Sequence, residues 1–353
     1  MPYLGKGPFI DLTQAPYDVT QPWQGNDAAV PDYTAAIQQA ADDARNQGWG
    51  LMDTGGTDGG RLILPPFVVP ISDTLMLHDG VSLEGHSKAS SRISMRSSFP
   101  STTPGKHMIN LGAGDPHVRG HASFGGQIKN LFISAGIGMP AAAGNFVFYS
   151  RNAQDTGAIL DTVVLDGGTH YGGGKYMEGD GGASLIKFKD LEIRARKDAI
   201  ALGNVAFVVK VSGSTMVEFD GLEPACSWLD NEHPELGAVA NSFGLMCLGG
   251  DFTIKRVHGE ACKYPIYFGE YAGHGVPGDP DYSPGTDSNC FASVERVTGG
   301  GGNDRLVWED SSKWHDKIML ERVDPKSPSI PYAFYSSTRS VLNKTKIVDR
   351  IRV

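Results

Sequence analysis

Carboxyl groups are concentrated in the middle of the sequence. Asp220 and Glu223 lie within VEFDGLEPACSW, and Glu260 and Glu270 follow. Hydrolysis of a glycosidic bond needs two carboxyl groups that flank it, one as an acid and the other as a base or nucleophile. For a reaction of this type, we expect these four residues to be the catalytic ones. The sequence also leaves open that each is a solvated residue of a surface or a turn.

Aromatic and basic side chains lie close to these carboxylates in the sequence. Trp228, Tyr264 and Tyr267 offer flat faces against which sugar rings can pack. Lys197 and His258 suit another reaction, elimination at a uronic acid, which needs a base and a group that neutralises the carboxylate. We expect all five residues to bind substrate. The choice between hydrolysis and elimination stays open.

A weak repeat predicts how these residues are positioned. Each copy has an apolar residue, a charged one, then Asn, Asp or Arg, then a second apolar residue, as in 128–131, 188–191, 254–257, 294–297, 320–323 and 348–351, with a looser copy at 160–163. The long step from 191 to 257 predicts one unmarked turn near Phe219 and Asp220. Coils that bury their apolar faces only by stacking on their neighbours explain this pattern better than separate sandwich strands.

The spacing within each copy predicts a bend. Side chains alternate along a strand, so two inward residues three positions apart need a two-residue bend between them. Asn130 and Asp190 suit that bend because Asn and Asp tolerate the left-handed conformation, whereas Arg fits it less well.

A short helix is predicted before the strands. Asp32 can cap its N-terminus. The residues that follow at helical spacing form one small apolar stripe, Ala36, Ile37, Ala40, Ala41 and Ala44. Such a stripe needs a flat apolar partner, which the end of a stack of strands would supply.

The segments Asp32–Ala41, Leu62–Pro66, Ile71–Ser72 and Val81–Gly85 resemble the N-terminal part of the pectate-lyase-like family of right-handed parallel β-helices. Many polysaccharide lyases, hydrolases and phage tailspikes have this fold. The chain departs from the family at Phe67, where a glycine is usual, and lacks the usual Gly-Asp-Gly before the helix. The resemblance covers about a fifth of the chain. It implies an all-β, single-stranded right-handed parallel β-helix (solenoid) with a short capping helix, over 30–353, after an N-terminal arm at 1–29.

The resemblance also leads to an expectation about function. We expect a phage tailspike-like receptor-binding protein that binds and depolymerises a host surface polysaccharide, as a homotrimer on the virion tail, held there by a tail adaptor. One alternative is a free-standing, secreted bacterial polysaccharide lyase or glycoside hydrolase. The other is a structural or adhesive β-helix without turnover.

Composition narrows the choice of partners. A net charge of −9 disfavours nucleic acid, and it disfavours strongly acidic polymers unless a local basic patch attracts them. The sequence contains neither a long apolar run nor a secretory signal, so we expect no membrane insertion. The four cysteines lack metal-binding spacing and are expected to be buried apolar residues, and no cofactor or metal is expected.

Overall fold

The computed structural model describes residues 9–46, 49–50, 57–58, 60–77, 80–111, 123–124, 126–135, 145–151, 153–166, 175–180, 184–194, 206–225, 242–260, 262, 264–269, 273–274, 283–284, 290–300, 305–309, 317–325, 332–336 and 346–347. These residues form one helix, α1 (Thr34–Asn46), and the strands β1 (Phe9–Asp11), β2 (Trp49–Gly50), β3 (Thr57–Asp58), β4 (Arg61–Ile63), β5 (Val68–Ile71), β6 (Leu75–Leu77), β7 (Ser82–Glu84), β8 (Arg92–Met95), β9 (Ile109–Leu111), β10 (Ser123–Phe124), β11 (Ile128–Ser134), β12 (Phe146–Arg151), β13 (Ala153–Asp166), β14 (Lys175–Asp180), β15 (Ser184–Arg194), β16 (Ala206–Ala225), β17 (Ser242–Gly259), β18 (Tyr264–Gly269), β19 (Gly273–His274), β20 (Ser283–Pro284), β21 (Cys290–Gly299), β22 (Arg305–Glu309), β23 (Lys317–Pro325), β24 (Tyr332–Ser336) and β25 (Lys346–Ile347).

The helix α1 has the predicted cap and the predicted buried stripe. The Thr34 amide donates to Asp32 Oδ1 at 3.1 Å, and the helix buries Ile37, Ala40, Ala41 and Ala44. The side-chain amide of Gln38 both donates to and accepts from the backbone of Met76 in β6, at 3.1 and 2.9 Å. The helix therefore docks on the strands through apolar burial and through the unpaired edge of β6.

Most strands pair in parallel with strands from the preceding and following segments of the chain. The longest series, which we call ladder A, runs β1, β4, β7, β11, β13, β15, β16, β17, β21, β23, β25. A second series, ladder B, runs β6, β9, β12, β14, β16, β17, β18, β22, β24. The strands β16 and β17 are long enough to belong to both ladders, because their first halves pair in ladder B and their second halves in ladder A.

The repeat predicted from the sequence lies in register in ladder A. Its second apolar residues pair with one another on successive strands, in the order Leu131, Val163, Leu191, Leu222, Val257, Val297 and Val323. Leu222 is the copy that the sequence left unmarked, so the predicted extra turn near Phe219 is confirmed. Beneath this row, the rings of Phe188 and Phe219 stack with their centroids 4.7 Å apart, and both are fully buried.

The predicted bend is present at the residues that suit it. Asn130 and Asp190 have φ of 53° and 45°, and Thr162 and Gly221 take the same position on their strands with φ of 59° and 85°. From β17 onward the equivalent residues are arginines without positive φ, and the pairing register shifts next to Asp220. Arginine therefore replaces the left-handed bend rather than adopting it.

Three of the four cysteines are described, and Cys247, Cys262 and Cys290 are buried free thiols, as predicted. Burial, and then the neighbouring Cys290, raise the pKa of the Cys247 thiol. The fourth cysteine, Cys226, lies outside the described residues. The helix α1 is too short and too polar to cross a membrane.

Candidate functional site

A row of charged residues runs along the outside of ladder A. Its members pair with one another on successive strands. Up to β16 each member directly follows a buried apolar residue, and from β17 onward each lies two residues after one. We call it the charge row, and it comprises Lys129, Asp161, Lys189, Asp220, Arg256 and Arg296; Arg322 takes the next register position, on β23. Neighbouring strands of a sheet are about 4.8 Å apart, so charges on adjacent strands interact directly.

Asp220, predicted to be catalytic, is an ion-pair partner in this row. Its Oδ1 accepts hydrogen bonds from Arg256 Nη2 at 2.8 Å and Nε at 3.1 Å, and its Oδ2 lies 3.8 Å from Lys187 Nζ. Burial alone would raise the pKa of Asp220, but the hydrogen bonds and charge of Arg256 outweigh it and lower that pKa below its ordinary value. Asp220 is therefore held as a carboxylate, which does not suit a general acid at neutral pH.

Glu218 lies two residues earlier on the same strand and is held in the same way. Lys187 and Lys255 approach its Oε1 at 2.7 and 2.6 Å. Hydrogen bonds from Lys187 and then Lys255 lower the pKa of Glu218. This cluster of opposite charges crosses three adjacent strands of ladder A and ties them together.

A second outward row follows the bend. Glu192 pairs with Glu223, and His258 pairs with Thr298. Glu223 and His258 each directly follow the paired residues Leu222 and Val257. We call Glu192, Glu223, His258 and Thr298 the groove row, because all four line one open groove of about 400 Å³.

The residues that line the groove change in charge along ladder A. The strands β15 and β16 contribute Asp190, Glu192 and Glu223, with Lys88 beside Glu192, and the next strands β17 and β21 contribute Arg256, His258 and Arg296.

Within the groove row, Glu192 and Glu223 have different surroundings. Glu192 accepts a hydrogen bond from Arg194 Nε at 2.6 Å and lies 3.7 Å from Lys88 Nζ. Glu223 is exposed and has neither a hydrogen bond nor an ion pair with any other described residue. A carboxyl group without a partner can exchange a proton with a ligand, whereas Glu192 is already committed to two cations.

His258 lies on the strand next to Glu223. Its Nδ1 is 2.8 Å from the Thr298 hydroxyl oxygen, and the Thr298 hydroxyl also donates to the carbonyl of Val257 at 3.5 Å. Either Nδ1 or the hydroxyl is the donor in the 2.8 Å contact, depending on the tautomer of the ring. This contact fixes the half-buried ring and leaves Nε2 as its second functional nitrogen.

The structure brings together three of the predicted site residues, Asp220, Glu223 and His258. Glu260 is exposed just beyond β17, where its amide donates to the Pro224 carbonyl at 3.0 Å. The remaining predicted residues Lys197, Trp228 and Glu270 lie outside the described residues.

The two predicted tyrosines lie on ladder B and not in the groove. Tyr264 is only 4 % exposed and belongs to an aromatic cluster with Phe146, against which Tyr267 packs. Tyr267 pairs with Trp308, which pairs with Tyr335. Aromatic residues thus occupy one position on three successive strands, and their binding to sugar stays a prediction.

Three residues of the groove, Glu192, Arg296 and Thr298, were not predicted from the sequence. The repeat held the signal for them, because Glu192, His258 and Thr298 each follow the second apolar residue of a copy, and Arg296 takes the place of Arg256. Within the described part of the chain, no cluster of three His, Cys, Asp or Glu residues could hold a metal ion.

No protein-family model matches the chain, and no curated protein matches it in sequence. Among solved structures, it is similar to the catalytic domain of a GH87 alpha-1,3-glucanase in complex with tetrasaccharides, at 11 % identity and a TM-score of 0.45, over 90 % of this chain and 57 % of that one. It is also similar to the Dettilon tailspike protein, at 11 % identity and a TM-score of 0.46, over 96 % of this chain and 70 % of that one. A further similarity is to PfbA, a surface adhesin of Streptococcus pneumoniae, at 11 % identity and a TM-score of 0.42, over 91 % of this chain and 79 % of that one. At these scores the similarities assign neither a fold nor an activity to this chain.

Proposed function

We propose that the chain is a right-handed parallel β-helix that binds a polysaccharide along ladder A and cleaves it in the groove at Glu223. Two parallel ladders that share β16 and β17 support a solenoid over 30–353, with 1–29 as an arm. The handedness follows from the general rule that about 98 % of parallel crossover connections are right-handed.

The observation that carries the proposal is the groove row. An exposed, unpartnered carboxyl group at Glu223 lies one strand away from an imidazole that Thr298 holds in place. Proton transfer by a positioned carboxyl or imidazole contributes about 10²- to 10⁴-fold to a reaction rate. In hydrolysis, Glu223 would act as the base, with Glu192 on the adjacent strand as the second carboxyl group. In elimination, Glu223 or His258 would take the proton next to the uronate.

The groove also has the form that a polymer needs. It is open, and it lies on a continuous row of strands, so a chain of sugars could extend past both ends of the catalytic pair. The predicted sugar-binding residues Lys197 and Trp228 belong to this proposal as contacts for the rest of the polymer, whereas Tyr264 and Tyr267 lie on ladder B, away from the proposed path.

The experiment is incubation of the protein with bacterial capsular, lipopolysaccharide, and acidic plant or algal glycans. New reducing ends and the ultraviolet absorbance of an unsaturated uronate are followed together. New ends with the absorbance indicate elimination, and new ends without it indicate hydrolysis. Glu223→Gln should abolish either signal. Glu84→Gln, on the same ladder but paired with Arg61 at 3.7 Å, is the matched control and should leave it unchanged.

The same proposal assigns this activity to a phage tailspike-like receptor-binding protein, a homotrimer attached to the virion tail through an adaptor. Exposed apolar side chains support a contact between copies. Leu185, Met216 and Phe291 are 50 %, 66 % and 44 % exposed, and Met216 and Phe291 border an open cleft of about 400 Å³. Such side chains clustered on one surface favour a protein contact.

Sedimentation and light scattering test the assembly. We expect a trimer, and we expect Met216→Ser with Phe291→Ser to weaken it, whereas Phe9→Ser, at an exposed position on β1, should not. A monomer that releases oligosaccharides would instead identify a free-standing, secreted enzyme.

A further inference from the structure

One register position of ladder B is occupied mainly by aromatic and methionine residues. We call it the ladder B row, and in strand order it comprises Met76, Asn110, Tyr149, Glu178, Lys210, Met246, Tyr267, Trp308 and Tyr335. Neighbouring strands of a sheet are about 4.8 Å apart. The row therefore places a methionine and then three aromatic residues at regular intervals on β17, β18, β22 and β24.

The members of the row on β17 and β18 face outward. Tyr267 is half-buried, whereas Ile266 and Phe268 on either side of it are fully buried. Met246 is likewise half-buried between two fully buried residues. Side chains alternate between the two faces of a strand, so Tyr267 and Met246 lie on the outer face while their neighbours fill the core.

Packing beneath the row holds its rings in place. Met246 and Tyr267 pack against the aromatic cluster to which Tyr264 belongs. Nearer the start of ladder B, the ring of Tyr149 stacks on His107, with centroids 4.2 Å apart and an angle of 13° between the planes. A side chain that is already fixed loses little conformational entropy when a ligand binds. These half-buried rings are therefore pre-organised for a flat ligand.

The row suits an amphipathic polymer better than a second protein. Among the described residues, the large apolar side chains that are exposed are Phe9, Leu185, Met216 and Phe291, and none of them belongs to the row. A protein contact favours such a contiguous apolar patch. A tyrosine instead combines an apolar ring face with a polar tip, which matches the C–H face and the hydroxyl rim of a sugar ring. The interval between strands is also similar to the length of one sugar unit in an extended polysaccharide.

We propose that the ladder B row is a second, non-catalytic binding surface for polysaccharide, on which sugar rings stack against Tyr267, Trp308 and Tyr335. This inference rests on the proposed function, because it takes the same polymer as its ligand, but it assigns no reaction to this surface. Ladders A and B share β16 and β17, so a polymer held on ladder B stays close to the groove on ladder A. Two linked sites raise the effective concentration of the polymer at the groove.

The test measures how bacterial capsular, lipopolysaccharide, plant and algal glycans retard the full chain in native gels. All proteins in this assay carry Glu223→Gln, so that the glycan in the gel is not consumed. We expect at least one glycan to bind, and we expect Tyr267→Ala and Trp308→Ala each to weaken that binding about five- to tenfold. Tyr267→Phe keeps the ring and should retain the affinity. The differences should persist in 1 M salt, because salt screens charges and not ring stacking.

A matched control and a kinetic measurement assign the effect to the row. Phe9→Ala removes an exposed aromatic ring on β1, outside the row, and should leave binding unchanged. Circular dichroism verifies that each variant is folded. With Glu223 intact, Tyr267→Ala should raise KM for the polymer at unchanged kcat, because the row binds the polymer without reacting with it. The KM for short oligosaccharides released from the same polymer should not change, because they occupy the groove alone.

The outcomes separate this inference from the proposed function. Binding that neither Tyr267→Ala nor Trp308→Ala weakens would overturn the inference and leave cleavage in the groove intact. A lower stability of these variants at unchanged affinity would likewise reject it and assign the row to cross-strand packing alone. Binding that depends on Tyr267, without cleavage of any glycan, would support the inference and overturn the proposed function. Absence of binding and cleavage with every glycan would overturn both.

Discussion

Replacing Asp220 and Glu223 separately distinguishes the ion pair from the catalytic carboxyl. Both were predicted to be catalytic, and they lie three residues apart on β16. Asp220 accepts two hydrogen bonds from Arg256, at 2.8 and 3.1 Å, and its pKa is lowered. Glu223 lines the groove without a partner among the described residues. We therefore expect Asp220→Asn to reduce stability and Glu223→Gln to reduce turnover.

The magnitude for Asp220→Asn follows from its contacts. Hydrogen bonds to charged groups contribute about 1.5–3 kcal/mol. The Arg256 side chain is 60 % exposed, so solvent screens the pair, and the amide oxygen of Asn still accepts one hydrogen bond. The free energy of unfolding should fall by about 1 kcal/mol. Turnover should remain within about tenfold of the wild type, whereas Glu223→Gln should lose about 10²- to 10⁴-fold.

The assay combines urea unfolding followed by circular dichroism with initial rates of reducing-end release, at a saturating concentration of the glycan identified in the panel. The stability measurement requires no substrate. Loss of turnover in Asp220→Asn at unchanged stability, or a wild-type rate in Glu223→Gln, would contradict these assignments. In the first case Asp220 would be the catalytic group and Arg256 its partner in the reaction.

Three further predictions concern the elements that support the groove. Phe219→Ala should lower the free energy of unfolding by about 3–5 kcal/mol, because it opens a cavity beside Phe188. Phe219→Leu should lower it less, and urea unfolding measures both changes. Gly221→Ala should cost about 1–2 kcal/mol, because φ is +85° and the new Cβ would lie 2.8 Å from Asp190 Oδ1, whereas Gly300→Ala, with no atom closer than 3.7 Å, is the control. The lowered pKa values of Glu218 and Asp220 contribute stability that is complete above their ordinary values, 4.5 and 3.8. That stability is lost as the pH falls below them, so the midpoint temperature of thermal unfolding should decrease from about pH 4.5 downward. The decrease should be less steep in the double variant Glu218→Gln with Asp220→Asn. An equally steep decrease in both proteins would contradict this prediction.

Much of the local structure was predictable because short segments encode it. The Asp32 cap, the apolar stripe of α1 and the left-handed bends at Asn130 and Asp190 each depend on residues within one turn of chain. Burial of the repeat followed from its spacing, since inward residues must alternate with outward ones. Of the site residues, Glu223 and His258 were found because their residue types suit proton transfer.

The coil repeat, its bends, its capping helix and a supply of ionisable residues were thus predictable from local sequence. Which ionisable residues meet depends on the fold. Asp220 contacts Arg256, 36 positions later, and Glu223 lies beside Glu192 and His258 on neighbouring strands. Those partnerships depend on strand register, and the shift next to Asp220 sets it locally. A slip of one residue would turn every side chain to the other face, so the pairing across coils is a property of the stack and not of any one segment.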